Sequence, residues 1–148
     1  MKKLNKVIIP VAGLGTRMLP ATKIIPKEML PLAGKPIIHY IVIEAMKAGF
    51  SEIILVSNEN KISSESYFET SCELEAALSK IKKKSLLKEM KEISNLKSKI
   101  INVIQRKPKG LGHAILSAKS LILDEPFAVI LPDMVIDSNY NLQNLALM

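Results

Sequence analysis

Val7-Ile8-Ile9 is an unbroken apolar run, and it is cut off by Pro10 and the glycine-containing stretch Gly13-Leu14-Gly15-Thr16-Arg17. Runs this short and this continuous predict a strand buried on both faces, followed by a loop. From Pro36 to Ala48 the spacing changes: Ile37, Tyr40, Ile41, Ala45 and Ala48 recur at helical intervals, with proline at the start and Gly49 at the end. Ile53 to Val56 is a second apolar run, so strand, loop, helix and strand make one crossover unit of a parallel sheet. Lys61 to Leu96 is helical in pattern. Its stripes of Leu74, Ala77, Leu78 and Ile81, then Leu87, Met90 and Ile93, read as core-facing, with Ser85 marking a break. Ile100 to Ile104 predicts a third strand, Leu111 to Ser120 a helix, and Phe127 to Leu131 a buried strand that ends at Pro132-Asp133. The whole pattern predicts an α/β fold with a mostly parallel open sheet flanked by helices.

The chemistry falls where strands end. Two glycines after the first strand let the backbone approach a ligand closely, and successive N–H groups in such a turn make an anion-binding concavity. Arg17 and Lys27 add positive charge beside it. Taken alone, the glycines fit equally well a steric need at a strand-to-loop junction. The loop is not a dinucleotide fingerprint, because Met18 stands where the third glycine belongs, and no Gly-Lys-Ser/Thr ending makes it a P-loop. The third strand delivers Gln105 to the carboxyl edge of the sheet, where open α/β sheets bind ligands. Asp133 ends the last strand at the same edge and offers an oxygen to a nucleotide-borne magnesium ion.

Gly13-Leu14-Gly15-Thr16-Arg17-Met18-Leu19-Pro20-Ala21-Thr22-Lys23, Pro26-Lys27-Glu28-Met29-Leu30-Pro31-Leu32 and Lys35-Pro36 together resemble the signature of the sugar-phosphate nucleotidyltransferases. Phe68-Glu69-Thr70-Ser71, Glu73-Leu74-Glu75-Ala76, Lys109-Gly110-Leu111-Gly112-His113-Ala114 and Val129-Ile130-Leu131-Pro132-Asp133 extend the resemblance over nearly the whole chain. The resemblance implies a Rossmann-like fold that is incomplete relative to the family. Residues 1–148 would then be the nucleotide-binding N-terminal part of a nucleotidyltransferase domain, without its sugar-binding half. It implies UTP and glucose 1-phosphate as partners, Mg2+ as cofactor, and UDP-glucose and pyrophosphate as products. By the same resemblance Ala12, Gly13 and Gly15 seat the nucleotide, and Gln105 and Gly110 read the base. Arg17 and Lys27 act in catalysis, and Asp133 holds the metal. Gln105 has both a donor and an acceptor for the edge of a uracil ring. Gly110 and Gly112 fit equally a tight turn into the next helix.

Composition changes this picture in three places. The net charge of +7 is local, since Lys80 to Lys109 holds 11 basic residues against Glu89 and Glu92. Lys82-Lys83-Lys84 reads as a solvated helical face rather than a nucleic-acid patch, and 4% aromatic content argues against base-stacking platforms. Cys72 is the lone cysteine and reads as a reduced thiol packed at a helix start. Lys2, Lys3 and Lys6 imitate the basic start of a signal peptide, yet Pro10, Gly13 and Arg17 break the apolar stretch, so a cytoplasmic protein without a membrane segment is expected. His39, on an apolar helix, reads as structural, and Asp137 as a surface or turn residue. Three functions remain in competition: uridylyl transfer, nucleotide binding without turnover, and nucleic-acid binding. A homo-oligomer or a complementing C-terminal chain is an expected partner of the first.

Overall fold

The computed structural model describes residues 4–59, 63–107 and 109–133. Its centre is a parallel sheet of β1 (Lys6–Pro10), β4 (Glu52–Ser57), β5 (Ile100–Ile104) and β6 (Phe127–Val129), in the order β5-β4-β1-β6. Ile8 lies opposite Ile54 on one side and Val129 on the other, and Ile54 lies opposite Ile101. A two-stranded hairpin of β2 (Pro31–Leu32) and β3 (Lys35–Pro36) leads into α1 (Ile37–Lys47), which begins and ends within a residue of its expected bounds.

The continuous apolar runs of β1 and β4 have a simple cause: both faces of these central strands are covered. Val7, Ile9, Val11, Ile53 and Leu55 turn to one face, against Ile38, Ile41, Val42 and Ala45 of α1 and against Phe50 and Phe68. Ile8, Ile54 and Val56 turn to the other, against Ala114 of α5 (Leu111–Ser117), Ala118, and Ile122 of α6 (Lys119–Ile122). Each of these isoleucines is fully buried except Ile122, and full burial of such a side chain stabilises by about 1.5 to 3 kcal/mol.

Four expectations are corrected. The region 61–96 is not two core helices. It contains α2 (Ser63–Ser66), α3 (Cys72–Lys80) and α4 (Lys84–Asn95) among the described residues, and the break falls at 81–83, where Lys82 takes a left-handed φ of 57°. The apolar stripe of α3 is not core: the helix has no buried residue, and Leu74 and Ile81 are exposed, because α3 packs on α4 and not on the sheet. α4 does contribute Ile93 to the core, with Met90 packed beside it. Cys72 starts α3 but is exposed, not packed. β6 ends two residues early and is not buried on both faces: Phe127, Val129 and Leu131 are exposed, since among the described residues β1 is its sole sheet neighbour. The backbone still pairs beyond β6, with Ile130 N donating to Ile8 O at 3.0 Å.

The N-terminal lysine that looked like part of a leader is structural. Lys6 is buried in β1, donates to Leu121 O at 2.7 Å and pairs with Glu125 at 3.3 Å. His39 is buried as expected, with Nδ1 3.0 Å from the Tyr67 hydroxyl. Lys82, Lys83 and Lys84 are exposed at the turn between α3 and α4. No described helix is long and apolar enough to cross a membrane. Asp137 lies outside the described residues.

Candidate active site

The strand order reverses between β1 and β6, with β4 and β5 added on the far side of β1. A crevice opens at the carboxyl end of a parallel sheet at such a switch point. Here it holds two adjoining clefts. One, of about 450 Å³, is lined by Ala12, Gly13, Gln105, Gly110, Lys27 and Asp133 among others. The second, of about 530 Å³, is lined by Gly15, Thr16, Arg17, Met18, Lys27, Leu131 and Asp133. All eight residues singled out in the sequence therefore line one continuous crevice, and Lys27 and Asp133 stand in both halves.

Local forces set each of them. Val11 N donates to Val56 O at 2.8 Å, carrying the chain past β1 before it turns at Ala12, whose carbonyl accepts from Asn58 Nδ2 at 3.2 Å. Gly15 takes φ +67°, and its carbonyl accepts from Thr22 Oγ1 at 2.7 Å, which closes the loop on itself. A Cβ on Gly15 would stand 3.0 Å from Thr22 Cγ2, so the folded chain itself requires glycine there. Gly13 differs: a Cβ would meet only Lys27 Cε, at 3.8 Å, among the described residues, and its φ is not positive. The described fold therefore does not itself require glycine at position 13.

Lys27 Nζ donates to Asp133 Oδ2 at 3.0 Å, joining the first loop to the end of β6. This bond holds the Asp133 carboxyl below the usual carboxylate range; burial opposes it and the charge of Arg17 adds a smaller downward pull. The backbone around Lys27 is anchored by Glu28, which is fully buried and accepts from Ser64 Oγ of α2 at 3.1 Å. Gln105 is buried, its N–H donating to Ser57 O at 2.7 Å, and its Nε2 lies 3.3 Å from Gly110 O and 2.9 Å from His113 Nδ1. Gly110 takes φ 90°, ψ −178°, a conformation open only to glycine, so the turn reading of this residue holds whatever it binds.

Sequence reasoning missed Asn58, Thr22, Glu28, Ser64 and His113 as residues that shape the crevice. Asn58, as the first polar side chain beyond β4, carried a usable signal, since ligand edges in such sheets collect polar residues at strand ends. Ser64 carried none.

Among the described residues lining the crevice, a metal would find one carboxylate. Among the described residues no group of three or more His, Cys, Asp or Glu gathers, but Asp133 is partly exposed at the junction of the clefts. Magnesium keeps several waters and takes one or two carboxylates together with substrate phosphates, so a single Asp133 fits it in the company of a triphosphate.

A parallel open sheet, glycine turns at its carboxyl edge, and paired cation and carboxylate at the switch point define an open α/β fold with its crevice at the strands' carboxyl ends. The match to the nucleotidyl transferase family model spans residues 6–146, and the chain belongs to that family. It is 54% identical over 147 residues to UTP–glucose-1-phosphate uridylyltransferase of Escherichia coli, covering 97% of this chain and 49% of that protein. The same enzyme of Bacillus subtilis is 51% identical over 138 residues, covering 93% of this chain and 47% of that one. The solved structure of UTP-bound UGPase from Acinetobacter baumannii superposes with a TM-score of 0.86 at 48% identity, over 92% of this chain and 48% of that one. The chain thus spans about half the length of the relatives it matches, and the expected Rossmann-like fold is the fold they share.

Proposed function

We propose that the crevice binds UTP and serves transfer of its uridylyl group to glucose 1-phosphate, giving UDP-glucose and pyrophosphate. The observation that carries this reading is the joining, at Lys27 and Asp133, of a cleft lined by Gln105 and Gly110 with a cleft lined by Arg17. One side suits a base and the other a polyanion. The names of the relatives, one of them solved with UTP, support the choice of nucleotide.

In the proposed reaction an oxygen of the sugar 1-phosphate attacks the α-phosphorus of UTP. A new P–O bond forms there while the bond to the β-phosphate bridging oxygen breaks, and the electron pair leaves on pyrophosphate. Such transfers ask the protein for position and charge neutralisation more than for covalent chemistry. The backbone at Ala12, Gly13 and Gly15 seats the nucleotide, and Gln105 with Gly110 holds the base. Arg17 and Lys27 take up the negative charge that grows on the leaving pyrophosphate. Asp133 would hold magnesium, which when bound supplies further positive charge to phosphate oxygens. On this reading residues 1–148 are the nucleotide-binding part of the domain. A lone exposed Cys72 is in keeping with a cytoplasmic setting.

The test is purified protein with UTP, magnesium and glucose 1-phosphate, followed by calorimetry for binding and by pyrophosphate release for turnover. UTP binding with pyrophosphate release is expected. UTP binding without release would leave a nucleotide-binding chain and refute transfer by it. Salt-sensitive RNA or DNA binding with no preference for UTP would refute both.

A further inference from the structure

Gln105 and His113 form a contact that the reaction itself does not require. Gln105 Nε2 approaches two atoms, the Gly110 carbonyl at 3.3 Å and His113 Nδ1 at 2.9 Å. An amide nitrogen only donates, and it carries two hydrogens, so these two partners use both. His113 Nδ1 must then accept, which puts the ring proton on Nε2 of the histidine. Turning the amide over would set Oε1 against the Gly110 carbonyl, acceptor against acceptor. That carbonyl is itself fixed, since it also accepts from Ala114 N at 3.1 Å in the first turn of α5. The Gln105 backbone is fixed as well, through its bond to Ser57 O. Oε1 is then the amide atom left for a ligand in the cleft that Gln105 lines.

We propose that His113 is a positioning residue for base selection: it holds the Gln105 amide so that Oε1 faces the base, and the site selects pyrimidines that carry an N3–H. The proposal rests on the reading that this cleft takes the base of UTP. Uracil offers a donor at N3, which Oε1 accepts. Cytosine offers an acceptor at N3, which meets Oε1 unfavourably. An amide free to rotate could serve either base by presenting Oε1 to one and Nε2 to the other. Discrimination therefore comes from the lock and not from glutamine as such. Thymine has the same N3–H as uracil, so this contact does not separate UTP from dTTP.

The experiment compares affinities for UTP, CTP and dTTP in the intact chain and in Gln105→Ala, His113→Phe, His113→Asn and the Gln105→Ala/His113→Phe double variant. His113→Phe keeps the ring but removes the acceptor, and the UTP:CTP ratio should fall by about twofold to tenfold, the range of one neutral hydrogen bond. The UTP:dTTP ratio should stay as it is. His113→Asn, whose Oδ1 can stand in for Nδ1, should keep most of the UTP:CTP preference. In the Gln105→Ala background His113→Phe should change the ratio no further, which a merely structural histidine would not produce. An unchanged ratio in His113→Phe, with the ratio lost in Gln105→Ala, overturns the role of His113 and leaves the base site standing. An unchanged ratio in Gln105→Ala overturns the base-site reading and this selection with it. Nitrogen-15 NMR without nucleotide tests the lock separately. An unprotonated Nδ1 at His113 and Gln105 side-chain amide protons that exchange slowly, then fast in His113→Phe, support it. Fast exchange in the unmodified chain overturns it.

Discussion

Gly13 and Gly15 sit two residues apart in one loop; the fold requires glycine at position 15, and on the proposed reading the nucleotide requires it at position 13. In Gly15→Ala the new Cβ stands 3.0 Å from Thr22 Cγ2, 3.2 Å from Thr22 Cβ and 3.3 Å from Lys27 Cβ. Thr22 cannot swing aside without breaking its 2.7 Å bond to the Gly15 carbonyl. Overpacking of this kind costs about 1 to 3 kcal/mol. The left-handed φ of +67° adds about 1 to 2 kcal/mol for a residue with a Cβ. Gly15→Ala should therefore lose about 2 to 5 kcal/mol, a fall of roughly 5 to 15 °C in Tm for a chain of this size. Gly13→Ala meets no such obstacle and should stay within about 0.5 kcal/mol of the unmodified protein. Its cost appears with ligand: holding the backbone away from phosphate forfeits a charge-assisted bond worth about 1.5 to 3 kcal/mol, tenfold or more in UTP affinity. Urea titration and calorimetry with UTP measure the two quantities on the same samples. Gly13→Ala that binds UTP normally, or that unfolds as easily as Gly15→Ala, would refute the division between the two glycines.

Arg17→Ala should weaken UTP by roughly tenfold or more while sparing UMP, because on the proposed reading the cleft it lines takes the distal phosphates; equal losses of UMP and UTP would move the arginine away from the leaving group. Asp133→Asn keeps the shape of the side chain and should leave stability within about 1 kcal/mol, the pair with Lys27 being partly exposed. It should abolish the magnesium dependence of UTP binding seen by calorimetry, and an undiminished dependence would remove Asp133 as the ligand. His39 is pushed below its ordinary value chiefly by burial, with Lys35 assisting and Glu89 opposing. On acidification the unfolded chain takes this proton first, so the stabilising contribution is whole above about pH 6.5 and is lost as pH falls toward the folded value. Urea midpoints between pH 8 and 5 should decline more steeply in the unmodified chain than in His39→Phe; parallel slopes would contradict the assignment.

The centre of the sheet was legible because β1 and β4 are buried on two faces and read as unbroken runs: Val7 to Ile9 and Ile53 to Val56 sit where the pattern puts them. The helices were less so. A helical stripe states that one face is apolar, not what covers it, and α3 lies on α4 with Leu74 and Ile81 left exposed. The hairpin of β2 and β3 went unseen because two-residue strands carry no period. In the site, charged and glycine positions were visible as residue types at strand ends. Their supports were not, because the bonds of Thr22 to Gly15, Asn58 to Ala12 and Ser64 to Glu28 join positions whose proximity only the fold creates.

On the proposed reading, the pairing of Lys27 with Asp133 is what a polyanion site keeps until its ligand arrives. Arg17 and Lys27 line one cleft, and like charges brought to one cleft repel each other less when a carboxylate lies beside them. Asp133 supplies it, and the depressed pKa of its carboxyl is the counterpart of that service. On the proposed reading a triphosphate brings several negative charges to the same point, and Lys27 then has two kinds of oxygen to choose from. Turning to the phosphates would leave the Asp133 carboxylate facing anions without its cation, which is the circumstance in which a divalent ion there is most favoured. The exchange needs Lys27 to pivot while its backbone stays still. Glu28 meets that need: it is fully buried in the next position and bonded to Ser64, so the chain is fixed one residue from a side chain that has a choice of partner.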